Sequence, residues 1–243
     1  MRIFHISDLH IGEENEDTHN IDTRKNFSTL LSTITKHNFD ILVIGGDLAY
    51  STGSKTIYSY IAQKLKAIHQ QVFIIAGNHD KKELLAQHFP TAFPSKKLYY
   101  TIKIEGKKLI FLDSSNRYID TEQLSWLTKE LQNEKDSIIF MHHPPLLAEV
   151  PHMDKKYPLQ NRDELTRILY SHPYPLTIYC GHYHCAKTIQ SQNITVHICP
   201  SNFYQINDNS QLFKIAHTHI GFQKISIQKK TVHTSVEWIC TDK

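Results

Sequence analysis

Five apolar stretches of this sequence each stop abruptly at an aspartate, asparagine or histidine, and this recurrence constrains the fold more than any other feature. In the clearest case, residues 72–76 (Val-Phe-Ile-Ile-Ala) run into Gly77 and then into Asn78-His79-Asp80. Short runs of apolar and β-branched residues are typical of buried strands, and a glycine permits a tight exit. We therefore predict that these polar side chains lie on loops at one edge of a sheet, where open α/β sheets bind their ligands.

Strand patterns alternate with helical patterns in the first third of the chain, which indicates βαβ units with helices on the sheet faces. Predicted strands cover residues 2–7, 40–44 and 72–76, and apolar residues at helical spacing predict helices through Phe27–Ile34 and over 55–69. Further strands are predicted at 99–104, 108–112, 137–141, 176–180, 194–198, 215–227 and 231–239, with helices near 84–85, 120–131 and 161–170. The second half is therefore expected to be richer in antiparallel β-structure.

Residues 146–160 are rich in proline and charge and show no periodicity, so we predict an active-site loop or lid there. No linker or repeat interrupts the pattern, and we interpret residues 1–243 as one domain. Its 40% apolar composition is enough to form a substantial core. A net charge of +3 with scattered basic residues gives no indication of nucleic-acid or membrane binding. The N-terminus lacks a signal-peptide pattern, so a cytoplasmic protein with reduced cysteines is expected, and a homodimer remains open.

The polar residues at the strand ends are of the types that bind transition metals. They are Asp8, His10, Asp47, Asn78, His79, His142, His182 and His184. An Asp-x-His pair alone is usually a loop, a Gly-Asp pair is usually a turn, and most of the 17 histidines should be ordinary surface or packing residues. Carboxylates and imidazoles that converge in one volume repel each other unless cations lie between them, and mixed nitrogen and oxygen ligands suit Fe, Mn or Zn. Eight candidates exceed one tetrahedral site.

The same residues resemble the motif series of the calcineurin-like metallophosphoesterases. The matching elements are Asp8-x-His10, Gly46-Asp47, Gly77-Asn78-His79-Asp80, His142 ahead of Pro144, and Gly181-His182-x-His184. Within this superfamily the chain is most similar to the class III cyclic nucleotide phosphodiesterases, in which Leu112-Asp113-Ser114, the helix at 122–127, His143-Pro144-Pro145 and Pro200-Ser201-Asn202 recur. The resemblance implies a four-layer α-β-β-α sandwich of two mixed sheets flanked by helices.

The resemblance also implies a ligand set for two metal ions. Asp8, His10 and His184 would hold one ion, Asn78, His142 and His182 the other, and Asp47 would bridge them. Two ions about 3.5–4 Å apart share and activate a hydroxide and neutralise both oxygens of an in-line displacement at phosphorus. His142 is preferred to His143 as the ligand because it fits the His-x-Pro spacing, so His143 is left to contact substrate or to pack under the loop.

His79 is expected to act on the substrate rather than on a metal. The resemblance implies that it contacts the phosphoryl oxygen, beside Asn78, or protonates the leaving alkoxide, which contributes about 10²–10⁴-fold to the rate. Asp80 could orient the His79 imidazole, could cap the next helix, or could do both. Ser201, Asn202 and Tyr204 could line a nucleotide cleft by resemblance, although a turn at a strand end explains them equally well.

The sequence therefore predicts a dinuclear-metal phosphodiesterase that acts on a cyclic nucleotide or another small phosphodiester. A phosphomonoesterase is the alternative, because the same two metals serve either reaction and pocket shape selects between them. An interaction scaffold, resembling the retromer subunit that carries this fold with a degraded site, is disfavoured because every ligand position is filled here.

Overall fold

The computed structural model describes residues 1–93, 97–132, 134–229 and 231–241. Its strands are β1 (Arg2–Ile6), β2 (Ile41–Ile44), β3 (Gln71–Ile74), β4 (Tyr100–Ile104), β5 (Lys107–Phe111), β6 (Ser137–Phe140), β7 (Leu176–Cys180), β8 (Lys187–Ser191), β9 (Ile194–Ile198), β10 (Gln205–Ile206), β11 (Ile215–His217), β12 (Ile220–Gln228) and β13 (Thr231–Ile239). Its helices are α1 (Thr23–Ile34), α2 (Lys55–Leu65), α3 (Lys82–His88), α4 (Thr121–Leu131), α5 (Pro151–Lys156) and α6 (Arg162–Ser171), with a 3₁₀ turn at Pro90–Ala92.

The strands form two large mixed sheets and a small hairpin. The first sheet has the order β13-β12-β1-β2-β3, in which β1, β2 and β3 are parallel and β12 and β13 are antiparallel additions. The second has the order β4-β5-β6-β7-β9-β8, with a parallel centre and an antiparallel strand at each edge. Strands β10 and β11 pair separately. The parallel centres put the carboxyl ends of β1, β2, β3, β6 and β7 at a common edge.

The two faces of the second sheet show why four layers form. On one face Phe111, Phe140 and Tyr179 stack at ring-centroid distances of 5.3 and 5.2 Å and pack into the core shared with the first sheet. On the other face Ile110, Ile139 and Ile178 pack with the apolar residues of α4 and α6. Successive strand residues point to opposite faces, so both faces are buried. The predicted four-layer sandwich is confirmed.

Several local details differ from the sequence predictions. Residues 146–160 contain α5, which begins with Pro151, and the Asp154 carboxylate accepts hydrogen bonds from the N–H groups of Ala148 and Val150. Proline is favoured in the first turn of a helix because its missing N–H is not needed there. The predicted strand 215–227 is two strands, β11 and β12, and β8 was not predicted although its sequence alternates.

The helix predicted from Asp120 is confirmed, since the Asp120 side chain accepts from the Gln123 N–H at 2.7 Å and caps α4. Helix α2 ends at Leu65, four residues before the predicted end. Among the described residues, no helix has both the length and the apolar character needed to cross a bilayer.

Candidate metal centre

The strand ends deliver their polar side chains through an unusual backbone. Five candidate ligands have positive φ angles, with φ 56° at Asp8, 44° at His10, 51° at Asp47, 68° at His182 and 48° at His184. Residues with a side chain rarely adopt this left-handed region, and such strain concentrates at functional sites. Backbone bonds hold the turns in place, because the N–H groups of Asp8 and His10 donate to the carbonyls of Gly46 and Asp47, each at 3.0 Å.

Glycines let the loops approach one another closely. A methyl group on Gly77 would overlap the Asp47 backbone nitrogen and carboxylate, and one on Gly181 would overlap the side chains of Ser7 and Asp8. Among the glycines of these strand-end loops, Gly46, at φ 99°, has a backbone that itself favours glycine. Gly77 begins a tight turn, in which the Asp80 N–H donates to Gly77 O at 3.2 Å, and its lack of a side chain also permits the close approach of Asp47.

The Asp47 carboxylate lies at the centre of the cluster. Its Oδ2 is 3.2 Å from Nε2 of His142, 3.7 Å from Nε2 of His10 and 4.0 Å from Nε2 of His79. Asp8 occupies the other side, with Oδ1 at 3.4 Å from Nε2 of His184. Nε2 of His10 and Nε2 of His184 are 3.0 Å apart, so these two imidazole nitrogens point towards each other.

Backbone carbonyls fix which nitrogen of each imidazole faces the cluster. Nδ1 of His142 donates to Gly45 O at 2.7 Å, Nδ1 of His184 to Tyr204 O at 3.1 Å, and Nε2 of His182 to Tyr157 O at 3.0 Å. In a neutral imidazole, a ring nitrogen that donates in this way leaves the other nitrogen with its lone pair. Metal-ligating histidines are held by such carbonyl partners in the same manner.

The charges in the cluster depend strongly on burial. Burial lowers the pKa of His10 and of His182 to about 3, so both rings are neutral and keep a lone pair at neutral pH. Burial also opposes a charge on His142, but the Asp47 and Asp8 carboxylates outweigh it and raise the pKa of His142 to about 9. Against its own burial, Asp8 has its pKa lowered to about 2, chiefly by His184. Two carboxylates and several imidazoles thus share a buried volume that favours added positive charge.

The donor atoms fit metal ions. Three sets have ligand atoms within 4.8 Å of one another, namely Asp8/His10/His184, His10/Asp47/His79 and Asp47/His142/His182. The first and third sets share no residue, and Asp47 Oδ2 of the third set lies 3.7 Å from Nε2 of His10 in the first, so one carboxylate lies next to both sets. Nε2 of His142 is buried and faces the Asp47 carboxylate, with Oδ2 at 3.2 Å. Asn78 has an exposed side chain on the wall of the adjoining cavity.

Asp80 does not have either of its expected contacts. Its carboxylate accepts from the N–H groups of Leu48 and Gly77, and from the Tyr58 hydroxyl at 3.0 Å. Nδ1 of His79 instead contacts Ser51 O at 3.3 Å, and α3 begins after Lys81 without a side-chain cap. The expectations that Asp80 orients the imidazole or caps the helix are therefore wrong. Burial, followed by the Asp47 charge, raises the pKa of Asp80 to about 6.

His143 lies below the centre and not in the cavity. It is fully buried, its Nδ1 is 3.1 Å from Ser114 Oγ, and its ring centroid is 4.1 Å from that of His182. His143 therefore packs below the site and does not line the cavity, in agreement with the second of its two expected roles. His142 is the residue that faces Asp47.

Residues 201–204 divide between the two roles considered for them. Ser201 Oγ and Asn202 Nδ2 donate to the backbone carbonyls of Asp8 and Ser7, so both residues stabilise the turn after β1. Tyr204 lines the cavity, and its carbonyl accepts from His184.

A cavity of about 470 Å³ opens above the candidate ligands. Its lining includes His10, Asp47, Asn78, His79, His182 and His184 together with the side chains of Tyr50, His152, Tyr157, Phe203, Tyr204 and Phe213. This volume is in the range of small-molecule sites. A groove of about 710 Å³ between the edge strands β3 and β4 is larger, but none of the candidate metal ligands lines it.

Several residues around the cavity were not predicted to be functional. Arg117 Nη2 donates to the carbonyls of Lys156 and Pro158, on either side of Tyr157, whose own carbonyl holds His182. His152 and Tyr157 lie within residues 146–160, which were predicted as an active-site loop or lid, and both line the cavity, although neither residue was singled out. For Phe213 a signal was present, because an apolar Leu-Phe pair follows the turn-forming residues 207–211 without belonging to a strand pattern.

Comparisons with known proteins agree with this geometry. The family model of the calcineurin-like phosphoesterases matches residues 1–186. A probable cyclic nucleotide phosphodiesterase of Fibrobacter succinogenes is 36% identical over 88% of this chain and 84% of its own length. A glycerophosphodiester phosphodiesterase of Enterobacter lignolyticus is 25% identical over 98% of this chain and 94% of its own length. The crystal structure of a dimetal phosphatase from Danio rerio superposes with a TM-score of 0.74, at 13% identity, over 97% of this chain and 95% of that one.

The family model covers most of the chain, and the Fibrobacter relative is similar over nearly all of it. The clustered aspartates and histidines support two metal ions in the same fold. The resemblance noted in the sequence is confirmed, and an interaction scaffold without catalysis is not supported. The chain belongs to the calcineurin-like phosphoesterases and is a metal-dependent phosphoric ester hydrolase.

Proposed function

We propose that this chain hydrolyses small phosphodiesters at a two-metal centre and that cyclic nucleotides are its substrate class. The observation that carries the proposal is the position of Asp47, whose carboxylate lies within 4.8 Å of donor atoms on both sides of the cluster. A shared carboxylate is what keeps two ions close enough to act on one phosphoryl group.

The proposed ligands divide around this carboxylate. Asp8, His10 and His184 hold one ion, and Asn78, His142 and His182 hold the other. Support comes from the histidine nitrogens, since carbonyl partners leave Nε2 of His142 and Nε2 of His184 to face the carboxylates. Nitrogen and oxygen donors of this kind accept Fe, Mn or Zn.

His79 is proposed to serve the leaving group. Its side chain is 36% exposed at the cavity, and its Nε2 lies 4.0 Å from the Asp47 carboxylate. The bound ions would act as Lewis acids on the phosphoryl oxygens and favour ionisation of the attacking water. The water loses a proton to solvent and its oxygen forms a bond to phosphorus. The bond to one ester oxygen breaks, and that oxygen takes a proton from His79 Nε2, which solvent then replaces. A cyclic nucleotide is thereby opened to a nucleoside monophosphate.

The cyclic-nucleotide assignment is supported by the Fibrobacter relative, which carries the name of a probable cyclic nucleotide phosphodiesterase. The Enterobacter relative acts by its name on glycerophosphodiesters, and this makes a linear glycerol diester the second candidate. Both substrates present a phosphodiester to the same floor, so the difference must come from the cavity wall.

The test is a rate comparison with protein reconstituted in Mn²⁺, Fe²⁺ or Zn²⁺. The substrates are 3′,5′-cyclic AMP, 2′,3′-cyclic AMP, glycerophosphocholine and a nucleoside monophosphate. We expect the cyclic nucleotides to give the highest kcat/KM and the monophosphate the lowest.

Each alternative has its own outcome. A higher kcat/KM for glycerophosphocholine would transfer the proposal to glycerol diesters, and a higher value for the monophosphate would make the protein a phosphomonoesterase. Absence of bound metal together with absence of turnover after metal addition would contradict the two-metal centre itself.

A further inference from the structure

One wall of the cavity is built from aromatic rings that lead from the metal centre to the solvent. We propose that this aromatic wall, formed by Tyr157, His152, Phe213 and Tyr204, is a stacking subsite for the nucleobase of the substrate. The proposal rests on the proposed function, because it places the phosphoryl group at the metal centre.

The rings of the aromatic wall form a continuous series. Tyr204 contacts the His184 ring at 5.0 Å between centroids, and Phe213 follows Tyr204 at 5.8 Å. His152 then lies 5.8 Å from both Phe213 and Tyr157. The series therefore begins at a candidate metal ligand and ends at the cavity mouth, so that one molecule can contact both the floor and the wall.

Exposure distinguishes the outer rings from ordinary core residues. Phe213 is 46% exposed and Tyr157 is 40% exposed, although both line the cavity. Exposed aromatic surface beside a polar site is typical of ligand binding, and flat aromatic faces suit the stacking of bases.

A polar group accompanies the rings. His152 is only 4% exposed, and its Nδ1 has no hydrogen-bond partner among the residues that the structure describes. A buried ring nitrogen without a partner costs free energy, and a hydrogen bond from a ligand would remove that cost. Nucleobases offer donors and acceptors on their edges, whereas glycerol diesters have no aromatic face to stack.

The aromatic wall is held at a fixed distance from the floor. The N–H of Ile206, in β10, donates to His184 O at 2.8 Å, and the N–H of Asn207 donates to Lys214 O at 2.8 Å across the loop that carries Phe213. On the other side the Tyr157 carbonyl accepts from His182. Both ring-bearing segments are thus bonded to candidate metal ligands, which places stacking and phosphoryl binding in one register.

The test measures binding rather than turnover. The metal-loaded protein is titrated calorimetrically with adenosine 5′-monophosphate and, separately, with inorganic phosphate. The variant is Phe213→Ala, and the matched control is Leu212→Ala, which alters a neighbour that is 74% exposed and is not part of the cavity lining. Tyr157→Leu is a second variant that keeps the carbonyl used by His182.

We expect Phe213→Ala and Tyr157→Leu to weaken binding of the monophosphate by about 5- to 150-fold, the range for loss of one base–aromatic stack. Binding of inorganic phosphate should change by less than about 2-fold, and Leu212→Ala should change neither. The subsite is overturned if wild-type protein binds the monophosphate no more tightly than phosphate, or if Phe213→Ala and Leu212→Ala weaken it equally. Hydrolysis of the diesters by wild-type protein reports on the proposed function separately.

Discussion

The floor of the cavity and its mouth are built in opposite ways. At the floor, Asp8, Asp47 and His142 are buried, and backbone hydrogen bonds hold the strained turns that present the two aspartates. At the mouth, Phe213 and Tyr157 are exposed and lie on a hairpin loop and at the end of a short helix. A chemistry common to a family requires a fixed arrangement of charges, whereas selection among substrates requires only a surface of suitable shape. Changes at the floor should therefore strongly reduce metal binding and turnover, whereas changes at the mouth should affect some substrates more than others.

The largest effect is expected for Asp47→Asn. Loss of the carboxylate proposed to bridge the two ions should remove both metals together and lower turnover by far more than about 10²-fold, the loss typical of changing a residue that only holds a metal ligand in place. Metal content per chain and kcat are the measurements, and Asp163→Asn, a change to a carboxylate that is 84% exposed, is the control. An Asp47→Asn protein with two metals and a normal rate would refute the bridging role.

His79→Ala should have the next largest effect, and only on poor leaving groups. Substrates that release an alkoxide should lose about 10²–10⁴-fold in kcat, because general acid assistance is removed. Esters that release nitrophenolate need little protonation and should lose much less. Rates on matched alkyl and nitrophenyl diesters test this, and equal losses would argue against proton donation by His79.

Arg117→Ala tests whether the mouth stabilises the floor. Without its hydrogen bonds to the carbonyls of Lys156 and Pro158, the Tyr157 carbonyl should hold His182 less firmly. We expect metal affinity to fall by less than the about 10–100-fold typical of changing a direct partner of a metal ligand, because Arg117 acts through the backbone of Tyr157, with partial recovery in Arg117→Lys. Competition with a chromogenic chelator measures the affinity, and the exposed Arg167→Ala serves as the control. An unchanged affinity would show that the two regions are independent.

The smallest effect is that of Phe213→Ala on the free energy of unfolding. Phe213→Ala should change the free energy of unfolding by less than about 1 kcal/mol because the ring is half exposed. Phe203→Ala, at a ring 1% exposed beside His10, should cost about 3–5 kcal/mol. Denaturant unfolding of both variants gives the two values. Similar losses would mean that Phe213 is a structural residue rather than part of a binding surface.

How well each region could be predicted follows from the same contrast. The floor was predictable because each candidate ligand directly follows an apolar run, and parallel strands bring such ends to one edge. Individual contacts within it were less predictable. Asp80 follows His79 in sequence, yet its carboxylate turns to the backbone of Leu48 and the hydroxyl of Tyr58.

At the mouth, the sequence indicated an active-site loop over 146–160 and a possible role for Tyr204, but it did not indicate helix α5, Phe213 or the contacts between the rings. Helix α5 is only six residues long, which is too short for apolar periodicity to indicate it. Its first turn is stabilised by its own Asp154, whose carboxylate accepts from the Val150 N–H. Phe213 and Tyr157 are separated by more than fifty residues, and only folding brings both of them next to His152.

The sequence by itself determined the four-layer fold and the identities of the candidate metal ligands, because strand period, strand ends and ligand chemistry are local properties. The tertiary structure decided which nitrogen of each histidine faces the carboxylates and which rings form the aromatic wall. The physical reason is that a tautomer is set by a partner on another segment, as the Gly45 carbonyl sets His142 from 97 positions away in the chain. A cavity wall likewise exists only once separate loops are packed together.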